Sequence, residues 1–204
     1  MPAAILHRRG SQIPRTESRH PVTTDLVERA QRGDQAAFDA LATAAYSRLF
    51  AVAARILRDP YAAEDAVQDT LVRAWRDLRG LRERDRFDAW LHRLLVHACA
   101  DQGRIAKRHR PEVTAVDIDV AEPADDVRRI ADRDELERAF LELSIEHRSV
   151  LVLVHYVGMP AVEVAQVLGV PPGTVYSRLH YATRQMRDIL ERPSSLGPVP
   201  EQLA

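Results

Sequence analysis

Polar and aromatic side chains share one face of a predicted helix that follows the sequence GVPPG at residues 169–173. Four apolar residues at three-, four- and seven-residue steps form the stripe that packs inward: Val175, Leu179, Ala182 and Met186. At about 100° per residue, the opposite face and its flanks carry hydrogen-bonding groups and two phenol rings: Thr174, Tyr176, Ser177, Arg178, His180, Tyr181 and Arg184. Such side chains can bond to base edges in a DNA major groove.

The turn before this helix has the composition of a helix-turn-helix. Ala165 is small where two helices would touch, Gly169 can adopt a positive φ, and Val175 is apolar where the second helix must be held. Pro171 and Pro172 suit the start of that helix, where a missing N–H costs nothing. Packing units that never contact DNA use the same spacing, so this segment alone leaves both interpretations open.

A basic segment closes another helical pattern, which begins near Phe87. Four permanent positive charges stand near its end, with no acid among residues 103–110: Arg104, Lys107, Arg108 and Arg110. Cations neutralise phosphates and aromatic rings stack on exposed bases, so this segment with Phe87 and Trp90 predicts contact with single-stranded or distorted nucleic acid. The alternative is that both rings belong to the core, and for Trp90 the sequence favours burial.

The helical pattern of residues 61–78 offers a different surface. Its inner stripe is Val67, Leu71, Ala74 and Leu78, which leaves six residues outward or on the border: Asp65, Gln68, Asp69, Val72, Trp75 and Arg76. A half-exposed tryptophan among apolar and charged groups is typical of protein-binding surfaces. The alternative is an amphipathic helix whose outer face only meets water.

Apolar periodicity predicts two helical blocks that position these surfaces. The first, residues 22–110, contains a long helix with one buried stripe: Phe38, Leu41, Ala45, Leu49, Val52 and Ile56. The second, residues 131–192, contains the helix-turn-helix. Six acids and no Lys or Arg lie between Glu112 and Asp126, so residues 111–130 are predicted to be a flexible acidic linker. Residues 1–21 are predicted to be a disordered basic arm, and residues 193–204 a flexible tail.

Composition excludes several classes of function. The 29 basic residues nearly balance the 30 acidic ones, so only the distribution of charge is informative about a polyanionic partner. The single cysteine, Cys99, permits no internal disulfide and no thiolate zinc site. Metal-ligand spacing, a Gly-rich phosphate loop and a serine nucleophile elbow are not found in the sequence, which predicts no metal, no cofactor and no enzyme activity. It also predicts a cytoplasmic protein without membrane insertion.

Three blocks in fixed order carry a family resemblance. They are AQRGDQAAFDALATAAYSRLFAVAARILRDPYAAEDAVQDTLVRAW, FDAWLHRLL and LGVPPGTVYSRLHYATRQMR, and they resemble the extracytoplasmic-function group of bacterial sigma factors from about Asp25 to Leu190. The resemblance implies an all-α fold of two small domains, regions two and four, docked on the beta-prime and beta subunits of core RNA polymerase. Many relatives are held inactive by an anti-sigma protein, and the sequence leaves open whether this chain has one.

The resemblance also implies roles for the three surfaces. Asp65, Gln68, Val72 and Trp75 match the helix that grips the coiled coil of the beta-prime subunit. The loop RGLRERDR and the helix after it match the part that captures and melts the minus-ten element. The helix after GVPPG matches the reader of the minus-thirty-five element. The acidic linker matches a segment that threads toward the RNA exit channel in relatives.

Two features depart from the family pattern. Val96 and His97 stand where relatives usually carry an Arg-Asn pair in the melting helix, and Tyr176 and Tyr181 stand where basic residues are usual in the recognition helix. A phenol cannot make the bidentate contact of arginine to guanine, which is worth roughly 1–3 kcal/mol. We therefore expect an atypical promoter or weaker binding.

We predict an RNA polymerase sigma factor that binds promoter DNA. The alternative is a stand-alone two-domain helix-turn-helix regulator, whose first block would serve a ligand or dimerisation. Tyr176 and Tyr181 slightly favour that alternative, whereas the surface of residues 65–76 and the basic segment disfavour it. A hydrolase or transferase has little support.

Overall fold

The computed structural model describes residues 20–108 and 127–191, with side chains at 23–106 and 135–191. Helices account for nearly all of these residues, and the described part of the chain contains no strand, which confirms the predicted all-α class. The α-helices are α1 (His20–Gln31), α2 (Gln35–Leu57), α3 (Pro60–Asp77), α4 (Phe87–Arg108), α5 (Val127–Glu142), α6 (Ile145–Leu151), α7 (Ala161–Leu168) and α8 (Pro172–Leu190). Short 3-10 turns occupy Leu78–Gly80 and Arg84–Arg86, and a π-helical segment follows α6 at Val152–Tyr156.

Aspartate residues cap the starts of two helices of the first block, α2 and α3. The Asp34 carboxylate accepts a hydrogen bond from the Ala37 amide at 3.1 Å and fixes the start of α2. The Asp59 carboxylate accepts from the amides of residues 61 and 62, at 2.9 and 3.1 Å, and Pro60 fills the first position of α3. The caps therefore set where each apolar stripe begins.

The predicted stripes form the core of the first block. All six predicted residues of α2 are buried: Phe38, Leu41, Ala45, Leu49, Val52 and Ile56. Val67, Ala74 and Leu78 are buried on the α3 side, and Leu71 is half-buried. Helix α4 adds Leu91, Leu95 and Ala98 to the same core.

Helix α2 is the one described helix that is long and apolar enough to cross a membrane, by length and composition alone. Its predicted apolar stripe is buried against α3 and α4, and Arg48 on its outer side pairs with Asp88 at 3.2 Å. We interpret α2 as the core helix of a folded domain.

The second block contains the predicted helix-turn-helix. Gly169 ends α7 with φ 65°, and the Val170 amide donates to the Ala165 carbonyl at 3.0 Å. Ala165 and Val175 are both buried, and α8 begins at Pro172. The residues that the sequence assigned to this turn therefore take the predicted conformations.

The two blocks share one apolar core, which the sequence did not predict. Helices α6 and α7 pack on α4, and Gly103 of α4 leaves room for Ile145, because a Cβ at Gly103 would lie 1.9 Å from the Ile145 side chain. The guanidinium of Arg55 stacks over the Tyr156 ring at 3.8 Å, and Arg58 pairs with Glu137.

The predicted domain boundaries stay predictions, with two adjustments. Helix α1 begins at His20, inside the predicted arm, and α5 begins at Val127, inside the predicted linker. Residues 1–19, 109–126 and 192–204, which hold most of the arm and linker and all of the tail, lie outside the described residues.

Candidate protein and nucleic-acid interfaces

The outer side of α3 presents an apolar spot between charges. We call it the α3 face, and it consists of the six predicted residues Asp65, Gln68, Asp69, Val72, Trp75 and Arg76. Val72 is 65% exposed and Trp75 is 44% exposed. The Trp75 ring lies 4.9 Å from that of Phe38, so its inner edge rests on the core. Core packing thus holds the ring in place while leaving much of it in solvent.

One further residue on the same side of this helix was not predicted from the sequence. Tyr61, in the first turn of α3, is 76% exposed and lies one turn before Asp65. Residues 61, 65, 68 and 72 follow three- and four-residue steps, so the spacing would have identified it. Tyr61 extends the apolar surface of the α3 face toward the start of the helix.

An ion-pair network fastens α3 to α4 beside this face. Arg73 contacts Asp69 at 2.6 Å on its own helix and Asp101 at 2.9 Å on α4. The hydrogen bond from Arg73, helped by one from Arg104, holds the pKa of Asp101 below its usual value. The Asp101 hydrogen bond raises the pKa of Arg73 in turn, despite partial burial.

We predict a pH-dependent effect of Asp101→Asn on stability. Because the folded-state pKa of Asp101 is lowered, its contribution is present above the unfolded pKa of about 4 and is lost as pH falls through the folded value. The variant should lose up to about 1 kcal/mol at pH 7, because both partners are partly exposed, and this deficit should shrink steadily as the pH falls below about 4. Urea unfolding across this pH range measures it. The control is Asp65→Asn on the exposed side of α3, and an unchanged deficit at low pH would contradict the assignment.

The structure corrects one predicted member of the melting surface. Phe87 is 3% exposed, because it is the first residue of α4 and its ring turns into the core of the first block. It therefore offers no surface to a base in this arrangement. Trp90, 6.0 Å from the Phe87 ring, is half-buried, so the preference for burial is only partly confirmed.

The other described residues of the predicted melting surface, Trp90, His97 and Arg104, form one stripe with Arg93, and we call these four the α4 face. Arg93 was missed, although it stands three residues after Trp90 and four before His97. His97 is exposed, and partial burial followed by the Arg93 charge lowers its pKa, so its imidazole is neutral at pH 7. Val96, its neighbour in the family departure, is buried. The side chains of Lys107 and Arg108, and all of Arg110, lie outside the described residues.

The second block lies close to the start of the α4 face. A cleft of about 520 Å³ separates them, lined by Trp90 and Arg93 on one side and by Glu163 and Gln166 of α7 on the other. Arg86 donates a hydrogen bond to Gln166 across it. In this arrangement α7 therefore restricts access to Trp90.

Helix α8 presents all seven predicted residues at the surface, and we call them the α8 face: Thr174, Tyr176, Ser177, Arg178, His180, Tyr181 and Arg184. Thr174 and Arg178 are partly exposed and the other five are exposed. Val175 and Ala182 are fully buried beneath them, with Leu179 and Met186 partly buried. The predicted inward and outward sides of α8 are thus those of the structure.

Partners within the α8 face are few. The Ser177 hydroxyl donates to the Thr174 carbonyl at 3.0 Å, and the His180 and Tyr181 rings meet edge to face at 5.8 Å. Arg184 lies 3.8 Å from Asp188, an exposed and weak pair. Arg178 has no ion pair within the described part of the chain. Two guanidinium groups are therefore available to a ligand.

The described residues show no metal centre. No group of three His, Cys, Asp or Glu side chains among them is placed to hold a metal ion. Cys99 is buried, which raises the pKa of its thiol to about 12, so it stays protonated and unreactive at neutral pH.

Comparisons with known proteins agree with the two blocks. Residues 41–110 match the family Sigma-70 region 2, and residues 133–186 match Sigma-70, region 4. The chain is 34% identical over 166 residues to the ECF RNA polymerase sigma factor SigM of Mycobacterium tuberculosis, covering 81% of this chain and 83% of SigM. It is 30% identical to the RNA polymerase sigma-H factor of Pseudomonas aeruginosa, covering 81% of this chain and 92% of that one.

Solved structures show the same architecture. CnrH, in complex with the cytosolic domain of CnrY, superposes with a TM-score of 0.61 at 29% identity, over 85% of this chain and 99% of CnrH. The sigma factor RpoE of Bartonella quintana, in complex with the anti-sigma factor NepR, shares the fold with a TM-score of 0.63 at 24% identity, over 76% and 98% of the two chains. The chain therefore belongs to the extracytoplasmic-function group of the sigma-70 family of RNA polymerase sigma factors.

Proposed function

We propose that this sigma factor brings core RNA polymerase to promoters by using its three faces for three tasks. The α3 face contacts the polymerase, the α8 face reads the minus-thirty-five element, and the α4 face takes part in melting at the minus-ten element. The observation that carries the proposal is that the α3 and α8 faces are exposed together on one chain while the stripes beneath them are buried or partly buried.

The chemistry of the α3 face suits a protein partner better than DNA. Asp65 and Asp69 would repel phosphates, whereas Val72 and Trp75 offer apolar area that is lost from water on contact. An aromatic residue set among polar groups is the usual centre of binding energy in protein interfaces. This supports docking on the beta-prime subunit.

The chemistry of the α8 face suits DNA. Arg178 and Arg184 provide charge for phosphates or guanine edges, and hydroxyl and imidazole groups lie between them. The turn at Gly169 places α7 and α8 as a helix-turn-helix does, which lets the second helix enter a major groove. This supports the α8 face as the reader of the upstream element.

The α4 face combines an aromatic ring with cations. Trp90 can stack on an unpaired base, and Arg93 and Arg104 can neutralise nearby phosphates. His97, neutral at pH 7, can donate or accept a hydrogen bond to a base but adds no charge. This supports a role in opening the duplex, together with the basic residues that follow.

A subunit of this kind acts by binding. We propose that the chain carries out no catalysis of its own, needs no cofactor and works in the cytoplasm, where polymerase and promoters are. The complex of CnrH with the cytosolic domain of CnrY supports a regulatory protein partner for this chain as well, with an anti-sigma protein as the expected kind.

Run-off transcription tests the proposed function. Core polymerase with the purified chain should initiate from promoters mapped after overexpression, whereas core alone should not. A stand-alone regulator would bind such DNA without polymerase, and core polymerase would still fail to initiate transcription in its presence. Transcription from none of the mapped promoters would overturn the proposal.

We predict that Trp90→Ala lowers the amount of open promoter complex. Stacking of a base on an aromatic ring is worth about 1 kcal/mol or more, so the open complex should decrease about fivefold at equal polymerase affinity. Permanganate reactivity of minus-ten thymines measures it. Tyr46→Ala on α2, another partly exposed aromatic residue, is the control. Equal permanganate reactivity with the two variants would show that Trp90 takes no part in melting.

A further inference from the structure

Two phenol rings are the largest exposed apolar groups of the α8 face. Tyr176 and Tyr181 are each 58% exposed, and within the described part of the chain neither hydroxyl has a hydrogen-bond partner. They lie on opposite flanks of the outward ridge that Ser177 and Arg184 occupy. On a DNA-facing helix, ring area of this size can be removed from water if the ligand offers a complementary apolar group.

Two other hydroxyls of α8 are already bonded to their own helix. The Ser177 hydroxyl donates to the Thr174 carbonyl, and the Thr183 hydroxyl donates to the Leu179 carbonyl at 2.8 Å. Both keep these bonds without any ligand. In the first half of α8, the Ser177 hydroxyl can therefore accept a hydrogen bond from a base but has already used its donor, and the larger side chains reach beyond it.

The major groove offers one apolar group for such a ring. Purine edges present N7 with O6 or an amino group, and cytosine presents an amino group, whereas thymine presents its 5-methyl group beside O4. A phenol ring cannot neutralise phosphate, and its single hydroxyl cannot match the two acceptors of guanine. The best complement for the ring is therefore the thymine methyl, with O4 as an acceptor nearby.

We infer that Tyr176 determines specificity for a thymine in the upstream element by packing its ring against the 5-methyl group, an inference that rests on the proposed function. Tyr176 stands four residues after Pro172, in the part of a recognition helix that contacts base edges. Tyr181 lies further along, and its ring is already in edge contact with His180. Of the two rings, Tyr176 is the one placed to read a base.

Replacement of thymine by uracil isolates this contact, because it removes the methyl group and changes no hydrogen bond. The holoenzyme first selects upstream duplexes from a randomised pool, and each thymine on either strand of the selected duplex is then replaced singly by uracil. One replacement should weaken binding by the full chain with core polymerase about fourfold, the value of one buried methyl group. Tyr176→Phe should keep this discrimination, and Tyr176→Ala should abolish it.

The matched control is Tyr181→Ala, which removes an equally exposed ring from the same helix and should still discriminate at that thymine. Circular dichroism should show equal helix content for all variants, since both side chains are exposed. Selection of an upstream element with no thymine sensitive to uracil, or equal discrimination by wild type and Tyr176→Ala, would overturn the inference alone. If the holoenzyme selects no upstream element, the proposed function itself fails.

Discussion

Replacing Val72 by aspartate is expected to lower the affinity of this chain for core RNA polymerase at least about 30-fold, which corresponds to about 2 kcal/mol. Val72 is 65% exposed between Asp69 and Trp75, at the centre of the α3 face. A carboxylate there would have to be desolvated on docking, and the apolar contact of the valine would be lost. Titration of labelled chain with purified core polymerase measures the affinity.

The control for this variant is Val162→Asp, which places the same charge at a valine of α7 that is 57% exposed. It should bind core polymerase as wild type does, because Val162 lies outside the α3 face. Because both valines are exposed, both variants should also unfold at the wild-type temperature. Equal loss of affinity in the two variants, or none in Val72→Asp, would show that the α3 face is not the docking surface.

The double variant Arg178→Ala and Arg184→Ala is expected to weaken promoter binding by the holoenzyme about 30-fold or more. Each guanidinium lost from a base edge or phosphate costs about 1–3 kcal/mol, and neither is held by a strong ion pair in the free chain. If both contact phosphates, the slope of log affinity against log salt should also fall by about two. Binding to a mapped promoter at several salt concentrations separates these contributions.

Arg32→Ala is the matched control for that pair. Arg32 directly follows α1, and its side chain is 69% exposed, as is that of Arg184. Its replacement removes one surface charge at a position distant in sequence from α8. Promoter affinity and the slope of log affinity against log salt should therefore both stay close to the wild-type values. Promoter affinity that is unchanged in the double variant would contradict DNA reading by the α8 face.

Local patterns explain why much of the fold could be predicted from the sequence. The stripe from Phe38 to Ile56 repeats at helical steps, and all six members are buried. Gly169 adopts the positive φ of a turn, Pro172 begins α8, and Val175 packs inward. Each of these roles depends on residues only a few positions away in the sequence. The α8 face follows from the same short-range geometry, so its seven residues could be placed on the surface before the structure was known.

Long-range packing explains most of what could not be predicted. Nothing near Phe87 in the sequence distinguishes a stacking ring from a core ring, and burial comes from helices distant along the chain. Ser144 caps α6 with a bond from the His147 amide, and so divides what reads as one helical pattern into α5 and α6. The shared core of the two blocks depends on contacts such as Gly103 with Ile145, which no local periodicity encodes.

Co-elution of the full chain with core RNA polymerase tests the central claim most directly, because the claim is that one exposed face serves the enzyme while another serves DNA. Size-exclusion chromatography without DNA, run near the wild-type dissociation constant, should show a one-to-one complex for wild type and for the Arg178→Ala and Arg184→Ala variant, and a much smaller bound fraction for Val72→Asp. A chain that elutes apart from core polymerase yet binds promoter DNA by itself would contradict the account and indicate a stand-alone regulator.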